Sequence, residues 1–393
     1  VLLYITFRQK RASLPRGLVG SLRICHYGPA LGELNVEMEP QHLVWEKLVE
    51  GRFEDGDCGN PTTKPKWFDA DKYHRGQQLI RDNLLCVMFC HLAGLVLGVV
   101  IDLPYTVLSN MGNHGCLKDI GTRYLGTSKK LLSWYSTDIF DLDSEGAKSL
   151  AVVRRMHGAA HRTMNRSYPR AEDDRELWMS QFYMATTQIS FVGFMLLYPH
   201  AVGLGHLSQK DQEAILHYWR CIGYLLGMSD TYNVCGGSVE VVRTLTKDFV
   251  DNLLRPAMLA TTAERFNLAT DILESILTAT RNMTVTVHGF ISYWCNLLNV
   301  EYQGKLSWRD RICRWLLGVL YTGPLLAYWL PRMVLNALHL RRYRVAHARG
   351  LTYIPTTPVH RIDVDLAGCP YMAQGSLAVA PGQHDATTIS VTS

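Results

Sequence analysis

The stretch KSLAVVRRMHGAAHRTMN, at residues 148–165, decides how the fold of this chain is interpreted. Its apolar positions recur at intervals of three or four residues, which places them on one face of a helix: Leu150, Val153, His157, Ala160 and Met164. His157 therefore lies in the middle of an apolar row, where a buried imidazole needs a hydrogen-bond partner or a metal. The row predicts a core histidine, a zinc ligand or the axial ligand of a haem iron.

Zinc is the first alternative, because His161 follows His157 at the spacing that places two imidazoles on one helical face. In zinc proteases with this spacing, a glutamate directly after the first histidine acts as general base, and here that position is Gly158. The neighbouring apolar segments 84–101 and 177–199 contain no carboxylate that could complete a metal site. The pattern therefore argues against zinc, and we expect His161 to face solvent or to bond to the backbone.

Haem suits the row better than zinc does. A haem site requires one axial imidazole in an apolar pocket and basic groups near the propionates. Arg154 and Arg155 lie within one turn of His157, and the small residues Gly158 and Ala160 leave room beside the ring. The residues alone nevertheless favour an ordinary core histidine, with a haem site at His157 as the alternative, and the two arginines could equally form a solvated face.

Composition limits the class of protein. Of 393 residues, 47% are apolar and 19% are charged, whereas about 25% are charged in an average soluble domain. The low charge predicts a large buried interior, a membrane contact, or both. A net charge of only +5, with scattered lysines and arginines, argues against a nucleic-acid partner. The ten cysteines form no CxxC pair, which argues against zinc-ribbon and iron–sulfur sites.

Helical periodicity recurs along the chain, and no alternating pattern persists long enough to build a sheet. We predict an all-α fold, a multi-helix globular domain of globin-like character around a buried haem pocket. The helical domain is expected to span residues 36–345, after a poorly defined N-terminal segment at residues 1–35. The tail at residues 346–393, rich in Gly, Pro, Ser and Thr, is expected to be disordered.

Two uncharged runs bear on membrane contact. Residues 84–101 number 18, the lower limit for a membrane span, and suit either a buried core helix or a span. Residues 315–330 form a run that is short for a span and contains Pro324. Aromatic residues near its ends and an arginine on either side suit a membrane interface instead.

Five segments follow one another in an order that resembles a known family: PKWFDADKYHRGQQL (65–79), GTRYLGT (121–127), VVRRMHGAAHR (152–162), the uncharged helix at 177–199, and HYWRCIGYLLGMSD (217–230). The family is that of the ER-bound MpaB-type oxygenases and the rubber oxygenases, or latex-clearing proteins. The resemblance covers roughly residues 60–340 and rests on the order and spacing of short motifs.

The resemblance implies residue roles. His157 matches the histidine that is the proximal ligand of a b-type haem. The family's Arg-x-x-Lys-Thr element beside the haem reads Arg123-Tyr-Leu-Gly-Thr127 here, so Arg123 and Thr127 are the implied catalytic residues and Gly126 departs from the lysine. The acidic residue that the family has upstream of this element is missing from residues 105–110.

The residues themselves leave plainer interpretations open for the same element. Arg123 could cap a helix or pair with Asp119, and Thr127 could be the N-cap of the helix that follows it. Arg154 and Arg155 are the expected haem-binding cations, one of which would meet a propionate.

The resemblance implies a haem-dependent oxygenase, an oxidoreductase that cleaves a lipophilic alkene or isoprenoid. The alternative is a non-catalytic haem- or lipid-binding, membrane-associated protein of the same fold. The implied partners are a hydrophobic small molecule, O2 and a membrane surface. Membrane association at the endoplasmic reticulum is the expected location.

Overall fold

The computed structural model describes residues 40–111, 116–168 and 175–350, in which the regular secondary structure is helical. Within these ranges the only extended pairing is an isolated bridge between Asp55 and Ser180. The α-helices are α1 (Pro40–Glu50), α2 (Ala70–Asp82), α3 (Leu84–Gly98), α4 (Asp102–Asn110), α5 (Leu117–Ser136), α6 (Glu145–Ser167), α7 (Gln181–Leu197), α8 (Gln209–Leu225), α9 (Val239–Phe249), α10 (Arg255–Leu259), α11 (Ala263–Ala279), α12 (Val287–Leu297), α13 (Trp308–Thr322) and α14 (Trp329–Arg349). The predicted all-α fold is confirmed.

Helix α6 contains the apolar row of residues 148–165. It begins after Ser144, whose hydroxyl accepts a hydrogen bond from the Ala147 amide at 3.1 Å and so satisfies one of the open N–H groups of the first turn. Three members of the row are buried as expected: Leu150, Ala160 and Met164. Val153 and His157 are only half-buried, because both line a cavity.

Helices α3 and α7 pack against each other inside the fold. Both lack charged residues, and both are buried along most of their length. They approach so closely at Gly94 that a Cβ atom there would lie 1.9 Å from the Ser190 carbonyl oxygen. Glycine is therefore required at this contact, and the uncharged run from residue 84 is a packed helix of the core.

The run at residues 84–101 is also interrupted. Helix α3 ends at Gly98, and α4 begins at Asp102. Among the described residues, no single helix is long and apolar enough to cross a membrane, while α2 and α3, bent by 87°, satisfy the length and composition criteria as a pair.

His91, in α3, is a histidine with both ring nitrogens satisfied. Its Nδ1 lies 3.0 Å from the Phe191 carbonyl oxygen, and its Nε2 lies 2.6 Å from the Tyr135 hydroxyl. Because a carbonyl can only accept, Nδ1 carries the proton and Nε2 accepts from the hydroxyl. Burial lowers the pKa of His91 to about 3, so the ring is neutral at physiological pH.

Helix α14 docks on the junction between α2 and α3. Asn336 accepts a hydrogen bond from the Leu85 amide at 2.9 Å and donates one to the Asp82 carbonyl at 2.6 Å. One side chain thereby serves the end of one helix and the start of the next. The uncharged run at residues 315–330 is divided between α13, a 3₁₀ turn at Pro324–Ala327 and α14, because proline cannot continue a helix.

The last helix runs past the predicted end of the helical domain. Tyr343 and Ala346 are still buried against the core, and the helix stops at Arg349. Gly350 follows with a φ of 64° and a ψ of −170°, a conformation that favours glycine. Residues 346–349 of the expected tail are therefore helical, because packing extends to them, whereas residues 1–35 and 351–393 lie outside the described ranges.

Candidate active site

A cavity of about 640 Å³ lies between helices α3 to α8. Its volume falls within the roughly 300–1,000 Å³ that is typical of small-molecule sites. Most of the wall is apolar, and its residues include Leu95, Leu108, Met156, Tyr183 and Phe191. The cavity can therefore hold a large and mostly apolar group. We call it the His157 cavity, after one of its lining residues, and the bound group its occupant.

Unpaired polar atoms are concentrated around this cavity. Among the described residues, eleven buried side-chain polar atoms have no hydrogen-bond partner, and four of them belong to residues that line it. The four are Tyr124 Oη, His157 Nδ1, Gln188 Oε1 and Trp219 Nε1. Because buried polar groups are nearly always hydrogen-bonded, this concentration is typical of a wall whose partners come from a bound group.

His157 projects from α6 into the cavity wall. Its Nδ1 is buried, and neither ring nitrogen makes a hydrogen bond to a described residue. Burial lowers the pKa of His157 to about 4, because the charged imidazolium is poorly solvated there. At neutral pH the ring is therefore neutral and has a lone pair available for a metal ion.

Arg123 and Thr127 lie one turn apart on α5 and line the same cavity as His157. The Arg123 guanidinium donates to the Leu108 carbonyl at 3.1 Å, which ties α5 to α4. The Thr127 hydroxyl donates to the Arg123 carbonyl at 3.2 Å. The interpretation of Thr127 as an N-cap is wrong, because α5 begins ten residues earlier, at Leu117. The structure thus brings together the three residues expected at the iron and on its far side.

Two departures from the element that the resemblance implies are visible in the cavity wall. At Gly126, a Cβ atom would meet no heavy atom within 4 Å, so the wall is open where the resemblance implies a lysine. Helix α4 contributes Val107 and Leu108, and none of the described residues that line the cavity is acidic. Residues 105–110 contain no acidic residue, and none elsewhere in the described wall takes the place of the one that the resemblance implies.

Arg154 has a different position from the one expected of a haem-binding cation. Its Nε lies 2.8 Å from Asp57 Oδ2, and its NH1 donates to the Asn60 carbonyl at 2.7 Å. The hydrogen bond from Arg154 holds the pKa of the Asp57 carboxyl below its usual value. Arg154 thus fastens the loop before α2 to helix α6.

Arg154 and Arg155 both line a second cavity, of about 550 Å³, on another side of α6. Arg162 and Gly158 line it as well. None of these four residues lines the His157 cavity in the described structure. The helix therefore separates the two arginines from the histidine that lies within one turn of them in sequence.

His161 is held by protein groups. Its Nδ1 lies 2.9 Å from the Trp178 carbonyl oxygen, and its Nε2 lies 3.4 Å from an Asp55 carboxylate oxygen. In the described part of the chain, no group of three or more His, Cys, Asp or Glu side chains is arranged to hold a metal ion. A site built from one histidine and a macrocycle does not require such a group.

Lys130 lines the His157 cavity and was not singled out from the sequence. It follows Arg123 and Thr127 at intervals of four and three residues, so all three share one face of α5. This helical spacing could have identified Lys130 from the sequence. The wall of the cavity thus has two cations and no anion among its described residues.

The family model of the ER-bound oxygenase mpaB/B′/rubber oxygenase catalytic domain matches residues 83–347. A solved structure of latex clearing protein in the closed state is similar to 82% of this chain and 92% of that chain, with 16% sequence identity and a TM-score of 0.49. No curated protein matches the chain significantly. The family match covers more than half of the chain and includes α5 and α6, so the chain belongs to the family of ER-bound oxygenases and rubber oxygenases.

Proposed function

We propose that this protein is a b-type haem-dependent oxygenase that cleaves a lipophilic alkene or isoprenoid. The observation that carries the proposal is the single cavity lined by His157, Arg123 and Thr127. Family membership supports the reaction class, since the matched domain is that of oxygenases, which use O2 and a small-molecule substrate. The apolar wall supports a hydrophobic substrate.

His157 is the proposed iron ligand. A neutral imidazole without a hydrogen-bond partner in the described residues could hold the iron of a haem, and the unpaired atoms of Tyr124, Gln188 and Trp219 could bond to polar groups of the same cofactor or of the substrate. Haem iron, when bound, supplies the one-electron and O2 chemistry that amino-acid side chains lack. The protein would position this group, exclude water and orient the substrate.

Lys130 is the cation that we propose for a propionate. It lies in the wall of the His157 cavity, where the negative charge of a propionate would otherwise be poorly compensated. The sequence favoured Arg154 and Arg155 for this role, but both line the second cavity and Arg154 is already bound to Asp57.

Arg123 and Thr127 are the proposed catalytic pair. A guanidinium is permanently charged, so Arg123 favours negative charge that develops next to it in the apolar cavity. The Thr127 hydroxyl can donate or accept a hydrogen bond one turn away on the same helix. The pair would orient O2 and the reacting double bond without supplying a general base.

A second candidate function is favoured by the absence of acidic residues from the described wall and by Gly126. A protein with this cavity could bind haem or a lipid without turnover. Consumption of O2 in the presence of an alkene, measured after haem has been bound, separates the two functions.

We also propose that the protein associates with a membrane, since the family name refers to ER-bound oxygenases.

The test compares absorption spectra of the purified wild type, His157→Ala and His161→Ala after incubation with haemin. We expect a Soret band and tight haem binding in the wild type and a loss of binding in His157→Ala. His161→Ala is the matched control, because His161 contacts Asp55 and the Trp178 carbonyl instead of the cavity.

Circular dichroism of each variant checks that the helices are retained. A wild type that binds no haem, or a His157→Ala variant that binds haem with the wild-type spectrum, would overturn the proposed cofactor or the proposed ligand respectively. An equal loss in His161→Ala would show that the effect comes from disturbing α6 as a whole.

A further inference from the structure

The exposed apolar side chains are concentrated near the end of the described chain. Of the nineteen large apolar side chains that are exposed in the described residues, twelve lie between Trp308 and Leu338. We call these twelve the apolar patch. Isolated exposed apolar residues are normal on a protein surface, whereas a contiguous group of this size marks a contact with a partner or a membrane.

Helix α13 is apolar on two opposite faces. Its exposed members of the patch share one side of the helix: Trp308, Ile312, Trp315, Leu316 and Val319. Its buried face is formed by Cys313, Leu317 and Tyr321 on the other side of the helix. A surface helix normally has polar residues opposite its buried face, so the outer face of α13 is not built for water.

The patch continues through the 3₁₀ turn into α14. Tyr328 and Trp329 are 65% and 66% exposed at the start of this helix, and Leu330 and Met333 follow. Further along the helix, Asn336 holds α14 to the core through its hydrogen bonds to Leu85 and Asp82. These hydrogen bonds hold α14 in an orientation that leaves its part of the patch exposed.

Positive charge borders the patch. From Trp308 to Gly350 the sequence has eight arginines and one acidic residue, Asp310. Asp310 is buried and caps α13 by accepting hydrogen bonds from the Ser307 amide and hydroxyl. Arg309, Arg311 and Arg314 are exposed and have no ion-pair partner among the described residues. The segment that forms the patch therefore has a strong excess of positive charge.

We propose that the apolar patch docks on the interface of a bilayer that contains anionic lipid. In this arrangement α13 and the first half of α14 lie along the membrane plane. Helix α13 has 15 residues, which at 1.5 Å per residue is about 22 Å, less than the roughly 30 Å of a bilayer core. The tryptophans and Tyr328 suit the headgroup level, and the arginines suit lipid phosphates.

A membrane fits the patch better than a second copy of the chain. A symmetric dimer through this surface would bring the same arginines of both copies together, and like charges at an interface disfavour association. An anionic bilayer offers apolar chains and negative headgroups at once. The inference rests on the membrane association proposed above and assigns it a surface, and it does not depend on the proposed haem chemistry.

The test is co-sedimentation of the full chain with phosphatidylcholine vesicles and with vesicles that also contain phosphatidylserine. We expect binding to the phosphatidylserine vesicles, and a loss of at least about tenfold in affinity when Trp315→Ser and Trp329→Ser are combined. Replacing Arg309, Arg311 and Arg314 with Gln is expected to lower this affinity by about 100-fold, because each cation near an anionic surface contributes favourably.

The matched control combines Leu142→Ser and Met283→Ser, two exposed apolar side chains outside the patch, and should bind like the wild type. No binding of the wild type to either vesicle, or equal binding of the patch variant and the wild type, would overturn the proposal. So would a wild-type dimer in light scattering that the tryptophan variant converts to a monomer, because the patch would then be an interface between two copies.

Discussion

Replacing His91 with glutamine is expected to make the fold less sensitive to acid. His91 is only 3% exposed, donates through Nδ1 to the Phe191 carbonyl and accepts through Nε2 from Tyr135. The native structure therefore holds the neutral ring, and protonation of Nε2 would remove the acceptor that the Tyr135 hydroxyl uses. Glutamine keeps a polar side chain at the site but cannot be protonated in this range.

The magnitude follows from the two pKa values of His91. Burial holds the folded pKa at about 3, whereas the model value for an exposed histidine is 6.5. Between these values the unfolded chain binds more protons, so stability is full above pH 6.5 and falls as the pH drops toward 3. For a single site, lowering the pH from 7.5 to 5 costs about 2 kcal/mol of unfolding free energy.

The assay is urea unfolding of the haem-free wild type and His91→Gln at both pH values. The wild type should lose about 2 kcal/mol more than the variant between pH 7.5 and pH 5. Other buried histidines with lowered pKa values, such as His157 and His339, contribute equally to both proteins and cancel in the difference. Identical pH dependence in the two proteins would refute a neutral, buried His91.

Three further substitutions test the packing and the loop contact. Gly94→Ala should lower the unfolding free energy by about 1–3 kcal/mol, because its Cβ would lie 1.9 Å from the Ser190 carbonyl oxygen. Gly126→Ala should raise the unfolding free energy by about 0.5–1 kcal/mol, because the added carbon meets open space and alanine favours the helix. A urea midpoint equal to that of the wild type would contradict the prediction for either variant. Arg154→Gln should cost about 1 kcal/mol through loss of the partly exposed contact with Asp57, without weakening haem binding, since Arg154 lines the second cavity; a weaker Soret band in this variant would place Arg154 at the haem.

The fold class was predictable from the sequence because helical periodicity is local. The row from Leu150 to Met164 predicts which side of α6 is apolar, and its ends are buried as expected. What periodicity could not predict is that Val153 and His157, in the middle of the row, face a cavity instead of packed side chains. A cavity is defined by several helices together, and no single helix contains that information.

The positions of the arginines show the same limit. Arg154 is three residues from His157, and sequence distance suggested a shared site. In the structure its partner is Asp57, which is 97 residues away in sequence and reaches α6 only through the folded loop. Lys130 is the opposite case. It lies three residues after Thr127, on the same face of α5, so helical spacing alone would have placed it in the wall of the same cavity.

The open space at Gly126 gives the chain a site for a reporter group. Since nothing lies within 4 Å of the position of a Cβ atom there, a cysteine at this residue would place its thiol inside the His157 cavity while the helices stay where they are. A thiol-reactive fluorophore attached to it would then sense which molecules enter. Position 126 thus allows entry and exit of the occupant to be followed in real time from within the cavity wall.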